Sequence, residues 1–533
     1  MNEESVFQNE PLKDFSIQTN RSTLRAALAD LDNRIRAGGL TASPIINGHE
    51  ERVGSPISAF DPSAHSVRIG EVYYASRELA SRALSSCSLG FRAWRATPPQ
   101  QRASTTRKLA ALLRQHSPFL TALIIREAGK TWREADADVA EAIDFCEFYA
   151  SEMLRLGEPY RTQHVLGEDN FYLYQPRGVV AVIAPWNFPL AIACGMTVAA
   201  LVSGNTVVLK PSEQTSLIAY EFARLVFEAG FPAATFAFLP GRGEDIGRFM
   251  VEAPETAMIV FTGSRPVGLE IIKSAATIAP GQKGIKRVVA ELGGKNAIII
   301  DEDADFDDAI RGVLQAAFGF AGQKCSACSR LIIVGGAYEE FLKRLASATA
   351  DLIIGPASDP ASFYGPVIDR ESFERILGVI QDARSLHVLV QAPIPEEVGS
   401  SGWYVPATIF RDTPLEHPIW RDEIFGPVLA CARARTFEEA LDMANECEYA
   451  LTGGVFSRNP QHLAMARSNF EVGNLYINRS ITGALVCRQP FGGFKFSGVG
   501  SKAGGRDYLL QFMEPRTITE NTMRRGFTPD LQS

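Results

Sequence analysis

Short apolar runs, rich in β-branched residues and closed by turn formers, recur along the chain. Val179–Ile183 lies between Gly178 and Pro185 and reads as a buried strand. Residues 206–209, 236–239 and 258–261 repeat the pattern, and helix-length amphipathic stretches at Ser216–Glu228 and 244–251 separate them. Strands alternating with helices at this spacing predict a parallel, doubly wound sheet. A second series starts near Glu291, with strands at 297–300 and 331–334 and a helix over 305–320. The chain therefore reads as two α/β units joined near residue 290. Further helices are expected over 24–35 and 135–149. Near the end, Tyr508–Phe512 reads as a strand with nothing after it to pair, so a partner subunit is expected to supply the pairing.

Composition narrows the class. A chain of 533 residues exceeds what one core supports, and 46% hydrophobic with 21% charged residues is globular. The 53 basic and 61 acidic residues leave a net charge of −8, which argues against nucleic-acid or membrane-surface partners. Residues 178–209 carry no charge, yet Pro185, Asn187 and Pro189 interrupt them, so a buried strand–loop–helix is expected rather than a membrane span. The N-terminus lacks an apolar core or arginine-rich face typical of targeting segments. Eight scattered cysteines indicate a reducing compartment, and the cytoplasm is the expected location.

Some apparent motifs fail. Ala128-Gly129-Lys130-Thr131 resembles the end of a P-loop, but Ile124 stands where its first glycine belongs. Gly241 to Gly247 has one residue too many for the dinucleotide fingerprint. Cys325-Ser326-Ala327-Cys328 has redox spacing without the surrounding βαβ unit, and the seven histidines form no ligand cluster, so no metal is expected. The glycine-bearing flank before Cys325 is expected to form an exposed loop, which marks Cys325 as a nucleophile and leaves Cys328 to packing.

The combination of motifs decides more than any one. Pro185-Trp186-Asn187-Phe188-Pro189, Lys210-Pro211-Ser212-Glu213 and Phe261-Thr262-Gly263-Ser264 each follow a predicted strand. Glu291-Leu292-Gly293-Gly294-Lys295, Gly322-Gln323-Lys324-Cys325 and Glu423-Ile424-Phe425-Gly426-Pro427 come later. In order and spacing these resemble the signature set of the NAD(P)-dependent aldehyde dehydrogenase superfamily. The longer stretch 322–330, with Thr482-Gly483-Ala484-Leu485, Gln489-Pro490-Phe491-Gly492-Gly493 and Ser501-Lys502-Ala503-Gly504-Gly505, is similar to the Δ1-pyrroline-5-carboxylate dehydrogenases, also called L-glutamate γ-semialdehyde dehydrogenases.

That resemblance implies an aldehyde-dehydrogenase-like α/β fold of two doubly wound, Rossmann-like domains with a small β oligomerisation flap. Residues 1–150 and 172–290 would bind NAD, with a helical extension over 1–45. Residues 291–485 would be catalytic, and 151–171 with 501–533 would form the flap and tail. Cys325 would attack the aldehyde, Asn187 would hold the oxyanion and Glu291 would activate water. Lys210 and Glu213 would hold the adenosine ribose, and the Glu213 carboxylate would favour NAD over NADP. Ser264 and Gly263 would meet pyrophosphate at a helix start, while Glu423 and Phe425 would hold the nicotinamide ribose. Ile183, Pro185, Trp186, Ser212, Gly243 and Leu292 complete the implied cofactor site.

For the substrate, Ser326 and the backbone of Gly483 and Ala484 would hold an α-carboxylate about 5 Å from the aldehyde carbon. Phe188 and Phe491 would sandwich the methylene chain. Glu141 would meet the α-amino group, with a solvated helix position as the alternative. The implied reaction is oxidation of glutamate semialdehyde in proline or ornithine catabolism. Alternatives are a succinic or aminoadipic semialdehyde as substrate, or a non-catalytic protein on the same fold. A homo-oligomer and a separate proline dehydrogenase are the implied partners.

Overall fold

Four strands end side by side, and their ends define one edge of the molecule. Val179–Ile183 pairs in parallel with Thr206–Lys210 on one side and with Thr256–Thr262 on the other. Thr256–Thr262 pairs in turn with Arg287–Glu291. The register sets Ile183 opposite Lys210 and Phe261, and Thr262 opposite Glu291. Val179–Ile183 and Thr206–Lys210 are buried throughout because helices cover both sheet faces, which explains their unbroken apolar runs. The strand order reverses at Val179–Ile183, and in open α/β sheets that point opens a crevice at the strand C-termini.

The computed structural model describes residues 7–523; residues 1–6 and 524–533, the latter part of the expected tail, lie outside the described residues. The first sheet has eight strands, with antiparallel Gly498–Val499 at one edge and Ile45–Ile46 and His49–Glu50 at the other. A second, seven-stranded sheet is parallel except for the edge strand His387–Gln391. Leu292 to Lys295 link the last parallel strand of the first sheet to Asn296–Ile300 in the second. Among the described residues, no helix is long and apolar enough to cross a membrane.

Several expected elements are corrected. Tyr508–Phe512 is a short 3-10 helix that buries Tyr508, Leu509 and Phe512. The strand follows it: Met513–Asn521 pairs along its whole length with Glu168–Pro176 of the same chain. Its polar sequence on both faces concealed it, since this ribbon is largely exposed and no apolar alternation marks it. The expected flap segment 151–171 begins instead as helix, because Met153 and Leu156 continue the buried stripe of Trp132–Leu156. The helix expected over 305–320 stops at Phe318, and 244–251 divides into a π-helical turn, Gly243–Gly247, and the short helix Arg248–Glu252.

Candidate active site

A cavity of about 910 Å³ runs along the strand C-termini. Ile183, Pro185, Trp186, Lys210, Ser212, Glu213, Gly243, Gly263, Ser264, Leu292, Glu423 and Phe425 all line it, together with Asn187. Its volume suits a dinucleotide-sized ligand. Lys210 is buried, with its ammonium 3.1 Å from Glu213 Oε1, which also accepts from Gly243 N–H at 2.8 Å. Burial pulls the Lys210 pKa below its ordinary value, and the Glu213 charge opposes that. Ser264 precedes the helix Arg265–Ala276 without capping it, so its hydroxyl stays free for a ligand at this positive helix end. Trp186 meets Phe425 edge-on at 5.5 Å.

A second cavity of about 320 Å³ adjoins the first. Glu291, Cys325, Ser326, Phe188, Phe491, Gly483, Ala484 and Glu141 line it. Cys325 and Thr262 belong to both cavities, so the nucleophile candidate stands where they meet.

The loop before Cys325 is buried rather than exposed. Phe320 and Ala321 adopt left-handed φ of 54° and 53°, a conformation costing about 1–3 kcal/mol for such residues. Gln323 holds the loop: its amide donates to Phe320 and Pro366 carbonyls and accepts from Ile368 N–H. Asn187 Nδ2 donates to Gln323 O at 3.2 Å, which leaves its second N–H free of that bond. The glycine pair after Glu291 is required by close approach. A Cβ on Gly293 would lie 2.0 Å from Glu423 Oε2, and one on Gly294 would lie 2.5 Å from the Cys325 carbonyl oxygen.

Burial raises the carboxyl pKa of Glu291 to about 8, against the Lys502 charge and the Gly493 N–H. Its Oε2 is buried and has no hydrogen-bond partner among the described residues. Burial, followed by the charges of Glu423 and Glu291, pushes the Cys325 thiol up to about 12. Glu423 is raised to about 6 by burial, with Gly294 N–H donating to it at 2.9 Å.

The sequence pattern of the aldehyde dehydrogenase family matches residues 49–518. The chain belongs to the aldehyde dehydrogenase family. It is 44% identical over 514 residues to the 1-pyrroline-5-carboxylate dehydrogenase of Geobacillus thermodenitrificans, covering 96% of this chain and 99% of that protein. A crystal structure of 1-pyrroline-5-carboxylate dehydrogenase from Thermus with bound NAD is similar at a TM-score of 0.94 and 42% identity, covering 97% and 99% of the two chains. Proline utilization A from Bdellovibrio bacteriovorus is similar at a TM-score of 0.96 and 46% identity; the match covers 98% of this chain but 54% of that longer one.

Within this aldehyde dehydrogenase, sequence reasoning missed Lys130. The helix Pro99–Ala128 ends at Gly129 with φ 69°, and the turn points Lys130 inward, fully buried. Its ammonium pairs with Asp138 at 2.8 Å, donates to the Asn187 carbonyl at 2.8 Å and lies 3.9 Å from the Phe188 ring centroid. Asp138 also accepts from Ala191 N–H. Glu134 likewise pairs with Lys324, beside Cys325, at 2.8 Å. Lys130, Glu134, Asp138 and Glu141 recur at helical spacing among apolar residues, and that was the readable signal. Glu141 is half-buried on the wall of the small cavity, and burial, then Asp138, raises its pKa to about 8.

Proposed function

We propose that this aldehyde dehydrogenase oxidises L-glutamate γ-semialdehyde, which equilibrates with 1-pyrroline-5-carboxylate, to L-glutamate with NAD in proline catabolism. One observation carries the substrate. The small cavity is lined by both Cys325 and the Gly483–Ala484 loop, whose N–H groups make no hydrogen bond among the described residues. With Ser326 they form a donor set suited to a carboxylate. The identity to curated 1-pyrroline-5-carboxylate dehydrogenases supports the same substrate.

The residues of the larger cavity fit NAD. Lys210 and Glu213 offer a ribose a cation and a carboxylate, the Arg265–Ala276 helix start suits pyrophosphate, and Glu423 would hold the second ribose. A carboxylate at Glu213 disfavours a 2′-phosphate by like charge. The Thermus structure with bound NAD supports this assignment. NAD, when bound, supplies the acceptor for the hydride that leaves the reacting carbon.

The Cys325 thiol releases its proton to water, and its sulfur forms the C–S bond to the aldehyde carbon while the carbonyl π electrons pass to the oxygen. Asn187 and the Cys325 backbone N–H donate to the developing oxyanion; one such donor contributes about 3 kcal/mol. After oxidation, a thioester joins substrate to Cys325. Glu291 takes a proton from water, the resulting hydroxide adds to the thioester carbonyl, and the C–S bond breaks to release the acid. Phe188 and Phe491 flank the methylene chain, and Glu141 faces the α-amino group.

The same reading assigns cofactor binding to 1–150 and 172–290, chemistry to 291–485 and assembly to 151–171 with 501–533. A cytoplasmic homo-oligomer is part of it. The likeness to proline utilization A supports a proline-oxidising enzyme as the upstream partner. The test is NADH production from glutamate semialdehyde, succinic semialdehyde, aminoadipic semialdehyde and propionaldehyde. A higher kcat/KM for succinic or aminoadipic semialdehyde than for glutamate semialdehyde would overturn the substrate assignment. No oxidation of any of them would favour a non-catalytic role.

A further inference from the structure

The segment before the family-matched region, residues 7–15, forms part of the substrate cavity. It runs antiparallel along one face of the Trp132–Leu156 helix. Phe7 packs on Phe148, Glu10 N–H donates to Asp144, Lys13 N–H donates to Asp136, and Phe15 packs on Trp132. Extended chain rises about 3.3 Å per residue and helix about 1.5 Å, so eight strap residues match about sixteen helix residues. The strap is thus close to extended up to the turn at Phe15. Lys13 Nζ adds bonds to Asp136 at 2.9 Å and Ser117 at 2.7 Å. Glu10 and Leu12 line the small cavity beside Glu141 and Asp144.

Asn9 joins this strap to a third element. Its Nδ2 donates to Asp144 Oδ2 at 2.8 Å and to the Val486 carbonyl at 2.9 Å. Asp144 is buried, and its other oxygen accepts from Glu10 N–H at 2.6 Å. Val486 lies two residues after Ala484, on the loop that lines the cavity and whose Gly483 and Ala484 N–H groups make no hydrogen bond among the described residues. Gly483 has φ 77° and no heavy atom within 4 Å of its Cβ position, whereas Val486 on the far side of the turn is buried in the core. The Asn9 amide ties the turn to the helix that carries Glu141.

We propose that Asn9 is a positioning residue for substrate selectivity: it staples the Gly483–Ala484 loop to the Trp132–Leu156 helix, and so favours aldehydes with a distal carboxylate over simple aldehydes. The proposal rests on the carboxylate-anchor reading above. The chemistry at Cys325 lies within the family-wide region 49–518, while the staple comes from outside it.

Asn9→Ala and Asn9→Asp both remove the donors, and Asn9→Asp adds repulsion toward Asp144. Loss of a bond of this kind predicts that kcat/KM for glutamate semialdehyde falls about tenfold, chiefly through KM, with propionaldehyde within about twofold of wild type. Amide exchange over 483–486 should accelerate in both variants, a readout independent of the substrate. An unchanged selectivity ratio in both variants, or unchanged exchange, overturns the staple. Wild type with no preference for glutamate semialdehyde overturns the substrate reading instead, and the exchange measurement still decides whether the staple exists.

Discussion

Lys130 and Asp138 form an ion pair at 2.8 Å from which water is excluded, and the pair carries the loop that presents Asn187. Asp138 is tied on its other side to Ala191 N–H, at the start of the next helix. One buried pair thus braces both ends of the segment 187–191. Removing the cation alone leaves a buried carboxylate without its counter-charge, which costs about 3–5 kcal/mol. Lys130→Met is therefore expected to lower the unfolding free energy by about that amount in denaturant titrations. It should also slow acylation in pre-steady-state measurements, because the oxyanion donor loses its brace. Unchanged stability would mean that Asp138 is neutralised by other means.

Cys325→Ala is expected to abolish aldehyde oxidation while NAD still binds, since Lys210, Glu213 and Glu423 remain in place. Cys328→Ala should change turnover little: its thiol lies in a strand, buried against the Arg330 carbonyl at 3.4 Å. NADH formation and calorimetric NAD titration check the two halves. If Cys328 proves as essential as Cys325, the two thiols act as a redox pair.

The strand-end residues were legible from the sequence because an apolar run of known length dictates where the chain leaves the sheet. Ile183, Lys210, Thr262 and Glu291 occupy such ends, and the structure brings them to one edge. Glu134 and Asp138 were not read because charged helix residues ordinarily face water, whereas packing of the Trp132–Leu156 helix buries Asp138 and leaves Glu134 half-buried. The Met513–Asn521 strand was missed for the opposite reason. It has no buried face beyond Met513, so nothing in its hydropathy announces a strand.

Glu291 sets the expected pH dependence. Its carboxyl is raised to about 8 by burial, and only the ionised form accepts a proton from water. Thioester hydrolysis should therefore rise with pH through about 8 and level above it, and fall as pH drops and the carboxylate takes up its proton. Glu291→Gln removes that dependence. It should give a burst of NADH approaching one equivalent per site, then slow turnover, because acylation consumes no water. Loss of the burst as well would show that Glu291 also accepts the Cys325 proton, which the elevated thiol pKa makes a specific alternative.

Ser326 tests the carboxylate anchor from the other side. The residue is buried, and its carbonyl is held by the Thr452 hydroxyl at 3.2 Å, so truncating its hydroxyl leaves the backbone beside Cys325 in place. A hydrogen bond to a charged group contributes about 1.5–3 kcal/mol, so Ser326→Ala should lower kcat/KM for glutamate semialdehyde about 10- to 150-fold. Propionaldehyde, lacking a carboxylate, should stay within a few-fold of wild type. Gly483→Val should do more, and through backbone conformation rather than a clash. A Cβ there meets no atom within 4 Å, but φ is 77°, which a β-branched residue resists strongly. The loop would then rotate its N–H groups away from the cavity. Equal losses for both aldehydes in Ser326→Ala would place the serine in the service of the nucleophile, and the anchor would rest on the Gly483–Ala484 backbone alone.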